Sequence, residues 1–463
     1  MSLDTPHRKL KSQAVPSLRR LTGMAVGLVC LTPQGSFTVA AQTQGAEPLD
    51  MADAVRAAVQ THPGIKGAQQ QVRQASEGVD AAKAGYGPQI TGGIQSQTNS
   101  YKNTSYDSRH VYNATVNVSQ MLYDFGKVAG ATRQAEAGVR TSEAQVQLVT
   151  DEIIRNTAQA WVDAHMQQSL VQVAREQLAA VTSITALVNE RVVKGATPRS
   201  DIEQAKSRVE ALRSQLLGAE AEAQRASLAL MHLTGRVAPV MIAGEVPLAL
   251  QNDACQASAD AVTPAMRVAE ARRDDARAQL DIAKAERLPT VTLDGSAGYA
   301  LTNGSRLYGE HRTTGQVGVN FSMPIYQRAT QARERGAFYQ LRALEDAVDQ
   351  ARLEARQNLA DARAQVDGWA SRAPVLQTRV SSIDATRDLY RQQYLQLGTR
   401  SLLDLLNSEQ EYHSARVDQV QGLYSQYRLA VQCLYHRDQL RSTFGLDEAG
   451  SAGKPKLTDR EEQ

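Results

Sequence analysis

Large aromatic side chains are scarce in this 463-residue chain: aromatics make up 5%, with two Trp and five Phe. That scarcity argues against thick globular cores, which draw much of their buried area from such residues, and favours long helices packed through thin seams. No segment after residue 31 is apolar enough for a transmembrane helix, so any insertion into lipid has to come from strands. There are three cysteines, no CxxC and no HExxH, and the glycine-rich stretches lack the lysine and serine of a P-loop. His62, His165, His232 and His413 stand alone at helix-compatible positions, where surface or packing roles are more common than ligation. No catalysis, cofactor or metal is expected. Charge of one sign is missing too, with 51 basic against 49 acidic residues, which gives no footprint for nucleic acid.

What is present begins with a targeting pattern. Arg8, Lys9, Lys11, Arg19 and Arg20 precede the apolar run Leu21 to Leu31, and Val39-Ala40-Ala41 offers small residues for cleavage near Gln42. Residues 1–41 are therefore expected to be a signal peptide, the run being too short to span a bilayer. Arg19-Arg20 also fits a twin-arginine signal, while Val29 before Cys30 argues against a lipoprotein cysteine. The segment carries five of the 51 basic residues and one of the 49 acidic ones, so its removal leaves 46 against 48, a charge of −2. Cys255 and Cys433 remain; an exported protein permits a bridge, but spacing alone does not show that they meet.

The remaining chain repeats itself. Pro63 to Pro88 matches Pro264 to Pro289 in length and character at an offset of 201. VNVSQMLY from Val116 aligns with VNFSMPIY from Val319, and VVKGATPRSD ending at Asp201 aligns with LQLGTRSLLD ending at Asp404, both at 203. Three matches in one order indicate a duplicated unit of about 200 residues. The organisation expected is a first repeat over 42–235, a linker over 236–262, a second repeat over 263–440, and a disordered tail over 441–463.

Each repeat reads as a helix, two strands and two long helices. Pro88 and Pro289 stop helical patterns, and period-2 alternation follows at once. Tyr112, Ala114, Val116 and Val118 share one face, with Asn113, Thr115, Asn117 and Ser119 opposite; Val291, Leu293, Gly295, Ala297 and Tyr299, then Val317, Val319 and Phe321, do the same in the second repeat. These strands reach roughly ten residues, the length a tilted strand needs to cross a bilayer. Tyr101, Tyr106, Tyr123, Tyr299, Tyr308 and Tyr326 fall near the strand ends, as in an interfacial girdle. An ordinary half-buried sheet explains the alternation equally well. The long stretches 127–191 and 328–395, interrupted only by Pro374, favour the membrane reading, since each would reach about 100 Å as a helix. The return helices carry heptad seams, Ile202 to Leu233 and Leu403 to Leu434, the latter interrupted by Gln410 and His413. Four strands cannot close a barrel, for which about eight are needed, so insertion requires a ring of copies.

Over nearly all of the chain after Pro48, this pattern resembles the TolC family of outer-membrane exit channels; the paired prolines, QMLYDFGK at Gln120 with its counterpart SMPIYQRA at Ser322, and two glycine-centred helix hairpins carry the resemblance. It implies a homotrimer, mainly α with transmembrane β, in which a 12-stranded β-barrel in outer-membrane lipid continues as a long α-helical barrel in the periplasm, two structural repeats per chain. It also implies a periplasmic adaptor (membrane fusion protein) and an inner-membrane ABC or proton-driven pump as partners. The general character is similar to members paired with toxin-exporting ABC systems, including those for adenylate cyclase-haemolysin, but drug efflux stays open beside type I secretion.

By position, the resemblance assigns adaptor docking to the tips at Gly195, Ala196, Gly398 and Thr399. It assigns a periplasmic gate to Arg400, in contact with Ser200 and Asp201 of a neighbouring hairpin, and a threefold acidic ring to Asp404. Such a ring would favour cations. The second ring position holds Asn407 and the expected gate tyrosine aligns with Leu395, one residue past Tyr394, which implies a weaker and less cation-selective gate. Without the resemblance, Arg400, Asp201 and Asp404 read as solvated hairpin charges. Two other classes fit parts of the pattern: a periplasmic adaptor, which should have one hairpin between lipoyl-like β segments, and a coiled-coil spacer, which needs no alternating strands.

Overall fold

In a computed structural model, residues 48–98, 110–237, 241–251, 254–255, 262–301 and 312–446 are described, all within the unit Ala46–Gln463. The expected signal segment, Tyr101, Tyr106 and Tyr308 lie outside these residues.

The first half runs β1 (Pro48–Leu49), α1 (Met51–Thr61), α2 (Pro63–Lys83), β2 (Pro88–Thr98), β3 (His110–Tyr123), α3 (Lys127–Val193) and α4 (Arg199–Thr234). Then come β4 (Met241–Ile242) and α5 (Leu248–Gln251). The second half runs α6 (Pro264–Ala285), β5 (Thr290–Ala300), β6 (Thr313–Ser322), α7 (Arg328–Gln392), α8 (Leu402–His436) and the short α9 (Leu440–Thr443). Local chemistry explains the boundaries. Pro63 and Pro264 sit in the first turns of α2 and α6, where no amide donor is needed, and Thr263 caps α6 by accepting from the Met266 amide at 3.3 Å.

The helices α3 and α7 have 67 and 65 residues, about 100 Å each at ~1.5 Å per residue. α7 continues through Pro374, an insertion that costs about 3 kcal/mol in an isolated helix. Packing on both sides of it holds the helix together: Trp369 and Leu376 close over Gly422 of α8, where a Cβ would lie 3.1 Å from the Trp369 ring. No helix among the described residues is long and apolar enough to cross a membrane.

The four membrane-length strands form one antiparallel sheet in the order β2-β3-β5-β6, so the two repeats join at β3 and β5. Its register aligns the alternation. Ile90 pairs with Val118, Val118 with Gly295 and Gly295 with Val317, while Thr91, Asn117, Ser296 and Gln316 make the parallel row on the opposite face. Along the apolar face Ile90, Ile94, Val317, Val319 and Phe321 are all exposed. Among the described residues β2 and β6 each present an outer edge without a neighbouring strand in the sheet.

The main core lies where β1 and β4 pair in parallel. Trp161 of α3 is fully buried there, with its indole N–H donating to the Leu49 carbonyl at 3.0 Å. Leu230 of α4, Leu434 of α8, Leu440, Phe444 and Leu446 complete it. This corrects the tail boundary, because residues 441–446 are folded: burial of Phe444 and Leu446 holds them, and Arg441 pairs with Asp151 of α3 at 2.8 Å. Residues 447–463 lie outside the described set.

Two points that the sequence left open are decided. Cys255 and Cys433 form a disulfide with Cα atoms 5.1 Å apart. The strap containing Cys255 is also held by Arg363 of α7, which donates to the Cys255 carbonyl at 2.9 Å, and by Arg437, which donates to the Ala254 carbonyl at 2.8 Å. Of the surface and packing roles open to them, His165 and His413 take packing ones. His165 contacts the Trp161 and Tyr424 rings and bonds to the Tyr424 hydroxyl, and His413 is 3% exposed.

Candidate functional site: the paired hairpin tips

The two long-helix hairpins lie side by side, with α3 packed along α4 and α8, and α8 along α7. Their tips turn by different means. In the first, Gly195 adopts φ +70°, its amide donates to the Val192 carbonyl at 3.0 Å, and Ala196 reaches the Arg191 carbonyl at 2.9 Å. In the second, α7 widens into a π-helical turn, Gln393–Leu397, before Gly398 at φ +63°. Left-handed φ favours glycine at both reversals. Gly195, Ala196, Gly398 and Thr399 are all exposed.

Beneath the tips an apolar cluster joins the hairpins: Val188, Ile202 and Ala205 from the first meet Tyr394, Leu402 and Leu405 from the second. Arg191 adds a polar bond across the same seam. Its guanidinium donates to the carbonyls of Tyr394 and Leu395, at 3.1 and 3.3 Å, and lies 4.9 Å from the centre of the Tyr394 ring. Those carbonyls belong to the π turn. Sequence reasoning missed Arg191, although a signal existed: Arg191 precedes Tyr394 by 203 residues, the repeat offset, so equivalent positions of the two halves meet.

The sequence-derived gate residues are placed as follows. Ser200 is exposed and donates to Asp201 at 3.3 Å. Arg400 is not bonded to either residue of its own chain; it donates to Gln393 Oε1 at 3.1 Å and covers the Tyr390 ring at 4.4 Å. Asp404 forms a capping box with Ser401: the Asp404 amide donates to Ser401 Oγ at 3.1 Å, and the Ser401 amide to Asp404 Oδ2 at 3.2 Å. It is therefore a structural residue whatever else it does. Asn407 is exposed one turn further along α8. Leu395 is half-buried, whereas the neighbouring Tyr394 is buried and its hydroxyl has no hydrogen-bond partner.

Above the apolar cluster lies a polar layer that draws on all four long helices. Gln410 of α8 accepts from Gln177 of α3 at 3.1 Å and from Arg208 of α4 at 2.6 Å. Arg416 of α8 pairs with Glu176 of α3. Glu409, 2% exposed, has Arg387 of α7 at 3.9 Å and His413 at 3.7 Å. Burial pushes the Glu409 carboxyl above its usual range, against the attraction of Arg387. Burial likewise pushes His413 down to about 4, and nearby Arg416 and Arg387 act in the same direction. Gln410 and His413 interrupt an otherwise apolar heptad seam, which was the only sequence trace of this layer. No group of three or more His, Cys, Asp or Glu among the described residues could hold a metal ion.

Comparison with known proteins bears on this architecture directly. The family described as outer membrane efflux protein matches residues 54–236 and 257–435, one match in each half. The outer membrane efflux protein BepC of Brucella suis biovar 1 is 24% identical over 356 residues, covering 76% of this chain and 77% of its own. The alkaline protease secretion protein AprF of Pseudomonas aeruginosa is 24% identical over 323 residues, covering 67% and 65%. The structure of the outer membrane protein VceC of Vibrio cholerae superposes with a TM-score of 0.70 at 18% identity, over 84% of this chain and 95% of that one. The chain belongs to the outer membrane efflux protein family, and as such it is an outer-membrane transport duct and not an enzyme.

Proposed function

We propose that three copies of this chain form the outer-membrane exit duct of a tripartite export system, extending into the periplasm and receiving cargo from an inner-membrane ABC or proton-driven pump through a periplasmic adaptor. The observation that carries this reading is the sheet: four strands of membrane length, an exposed apolar face, and two outer edges unpaired among the described residues. In lipid each unsatisfied edge group costs several kcal/mol, so the sheet has to continue into other copies. Three copies supply twelve strands, a closed barrel of ordinary size, and the hairpins of each copy supply arcs of a helical wall below it. The same strands weigh against a coiled-coil spacer, and two hairpins weigh against an adaptor.

The adaptor would dock at Gly195, Ala196, Gly398 and Thr399. Arg400 would bridge to Ser200 and Asp201 of a neighbouring copy, Asp404 would ring the bore, and Asn407 would weaken the second ring. Cargo is either a protein toxin, by type I secretion, or small molecules; AprF is named for protease secretion and BepC for efflux, so support exists for both.

Planar-bilayer recording of the purified trimer tests the reading. Cation-selective conductance is expected, rising several-fold in Arg400→Ser. In Asp404→Asn, which keeps an oxygen for the Ser401 amide, cation preference and block by multivalent cations should fall. Unchanged currents in both variants would reject the gate assignment, and the absence of any conductance would reject the duct.

A further inference from the structure

We propose that the Glu409–His413 pair is a proton-sensitive weak point between the two hairpins, so that acidification of the periplasmic face loosens the tips through His413. This inference takes its meaning from the duct reading, since parted tips would widen the periplasmic entrance.

The geometry places the pair where such a role is possible. It lies directly above the apolar cluster that holds the tips together, inside a layer to which all four long helices contribute. Within that layer several side chains are matched: Gln410 to Gln177 and Arg208, and Arg416 to Glu176. Glu409 and His413 are not, and Asp384 of α7, 2.8 Å from Arg387, also keeps a buried oxygen without a hydrogen bond. Glu409 Oε2 and both ring nitrogens of His413 are buried without a hydrogen-bond partner, and the pair is 3.7 Å apart, beyond bonding distance. A partly satisfied polar network in a dry seam stabilises packing less than either a full network or an apolar one.

The charges around His413 set the sign. From its own helix it faces Arg416 and Glu409, from α7 Arg387, and from α3 Glu176, while Arg208 of α4 is engaged by Gln410. Glu176 is already paired with Arg416. A proton on His413 would therefore place a third cation beside two guanidinium groups in a buried seam, offset only by the Glu409 carboxyl, whose own charge burial disfavours. The packed form resists that proton, whereas a form with the seam opened to water accepts it at the ordinary histidine value. With His413 held down to about 4 from an ordinary 6.5, acidification from pH 7.5 to pH 5 should raise the ratio of loosened to packed tips by up to roughly 30-fold. Glu409 acts oppositely. Its carboxyl is raised by burial, with Asp388 and Asp384 of α7 acting in the same direction and Arg387 and Arg391 against it, so the packed form takes up that proton more readily, and acidification through Glu409 favours packing.

The test is a distance measurement that needs no conduction. Spin labels are placed at Ala196→Cys and Thr399→Cys in full-length protein, diluted with unlabelled copies, and the separation of the two tips is read between pH 7.5 and pH 5. The expected result is a longer-distance population that grows on acidification, is lost in His413→Gln and grows further in Glu409→Gln. An equal acid response in His413→Gln, or none in the parent protein, would overturn the proposal. If His413→Gln does not fold, Glu409→Gln decides alone: an acid response no larger than the parent's overturns it. Tips that part in acid in a protein without bilayer conductance would leave this inference standing and remove the duct reading.

Discussion

Val317→Arg is expected to remove the protein from the outer-membrane fraction, while Gln316→Arg, one residue away, is expected to leave it there. Val317 sits at the middle of β6 and is 79% exposed, on the row that continues through Gly295 and Val118 to Ile90. Gln316 belongs to the opposite row with Ser296, Asn117 and Thr91. If the apolar row faces lipid, an arginine near the midplane costs about 2–4 kcal/mol in each chain, and a trimer carries it three times. On the polar row the same side chain meets water. Density-gradient fractionation together with the mobility of the undenatured oligomer reads both outcomes, and identical partitioning of the two variants would reject the assignment of faces.

Loss of the Cys255–Cys433 disulfide should lower thermal stability by several degrees without changing the sheet. The bridge closes 178 residues of sequence, and loop-closure entropy for a ring of that size is worth about 5 kcal/mol, with measured native bridges giving roughly 2–5. Cys433 is fully buried against Ala362 and Val366 of α7, and the strap keeps its bonds from Arg363 and Arg437. The double variant Cys255→Ser/Cys433→Ser should therefore fold with a reduced Tm. Thermal melts followed by circular dichroism, with and without reductant, provide the check. Reductant should lower the Tm of the parent protein to that of the double variant and leave the variant unmoved; a parent Tm indifferent to reductant would count against the bridge.

Much of the local architecture was legible because its signals are local. Prolines at 63, 88 and 264 mark boundaries through a missing amide donor, alternation from Tyr112 to Val118 declares a two-faced strand, and Gly195 and Gly398 announce left-handed turns. The tips could thus be located to the residue. Their chemistry could not. Arg400 carries a charge that reads as a gate or as a solvated residue, and only coordinates reveal its bond to Gln393. Asp404 reads as a bore carboxylate, yet its partner is Ser401, three residues away, in a capping box that a charge pattern does not distinguish from a bore-facing acid. The polar layer was the hardest to see. Glu409 lies one residue from the noted Gln410, and nothing in a heptad pattern tells whether a glutamate faces water or a dry seam.

What the amino-acid order determined alone is therefore the duplicated unit, the type and approximate ends of each long element, and the two-faced character of the strands. These follow from chain geometry, in which side-chain direction repeats every two or 3.6 residues irrespective of partners. What only the tertiary structure decided is which surfaces meet: Cys255 with Cys433, Arg191 with the π turn, Phe444 and Leu446 with the Trp161 core, Glu409 with His413 in a closed seam. Several alanine- and leucine-rich helix faces in this chain are nearly equivalent as apolar stripes, so pairing among them is chosen by packing of the whole assembly and is invisible in any one segment.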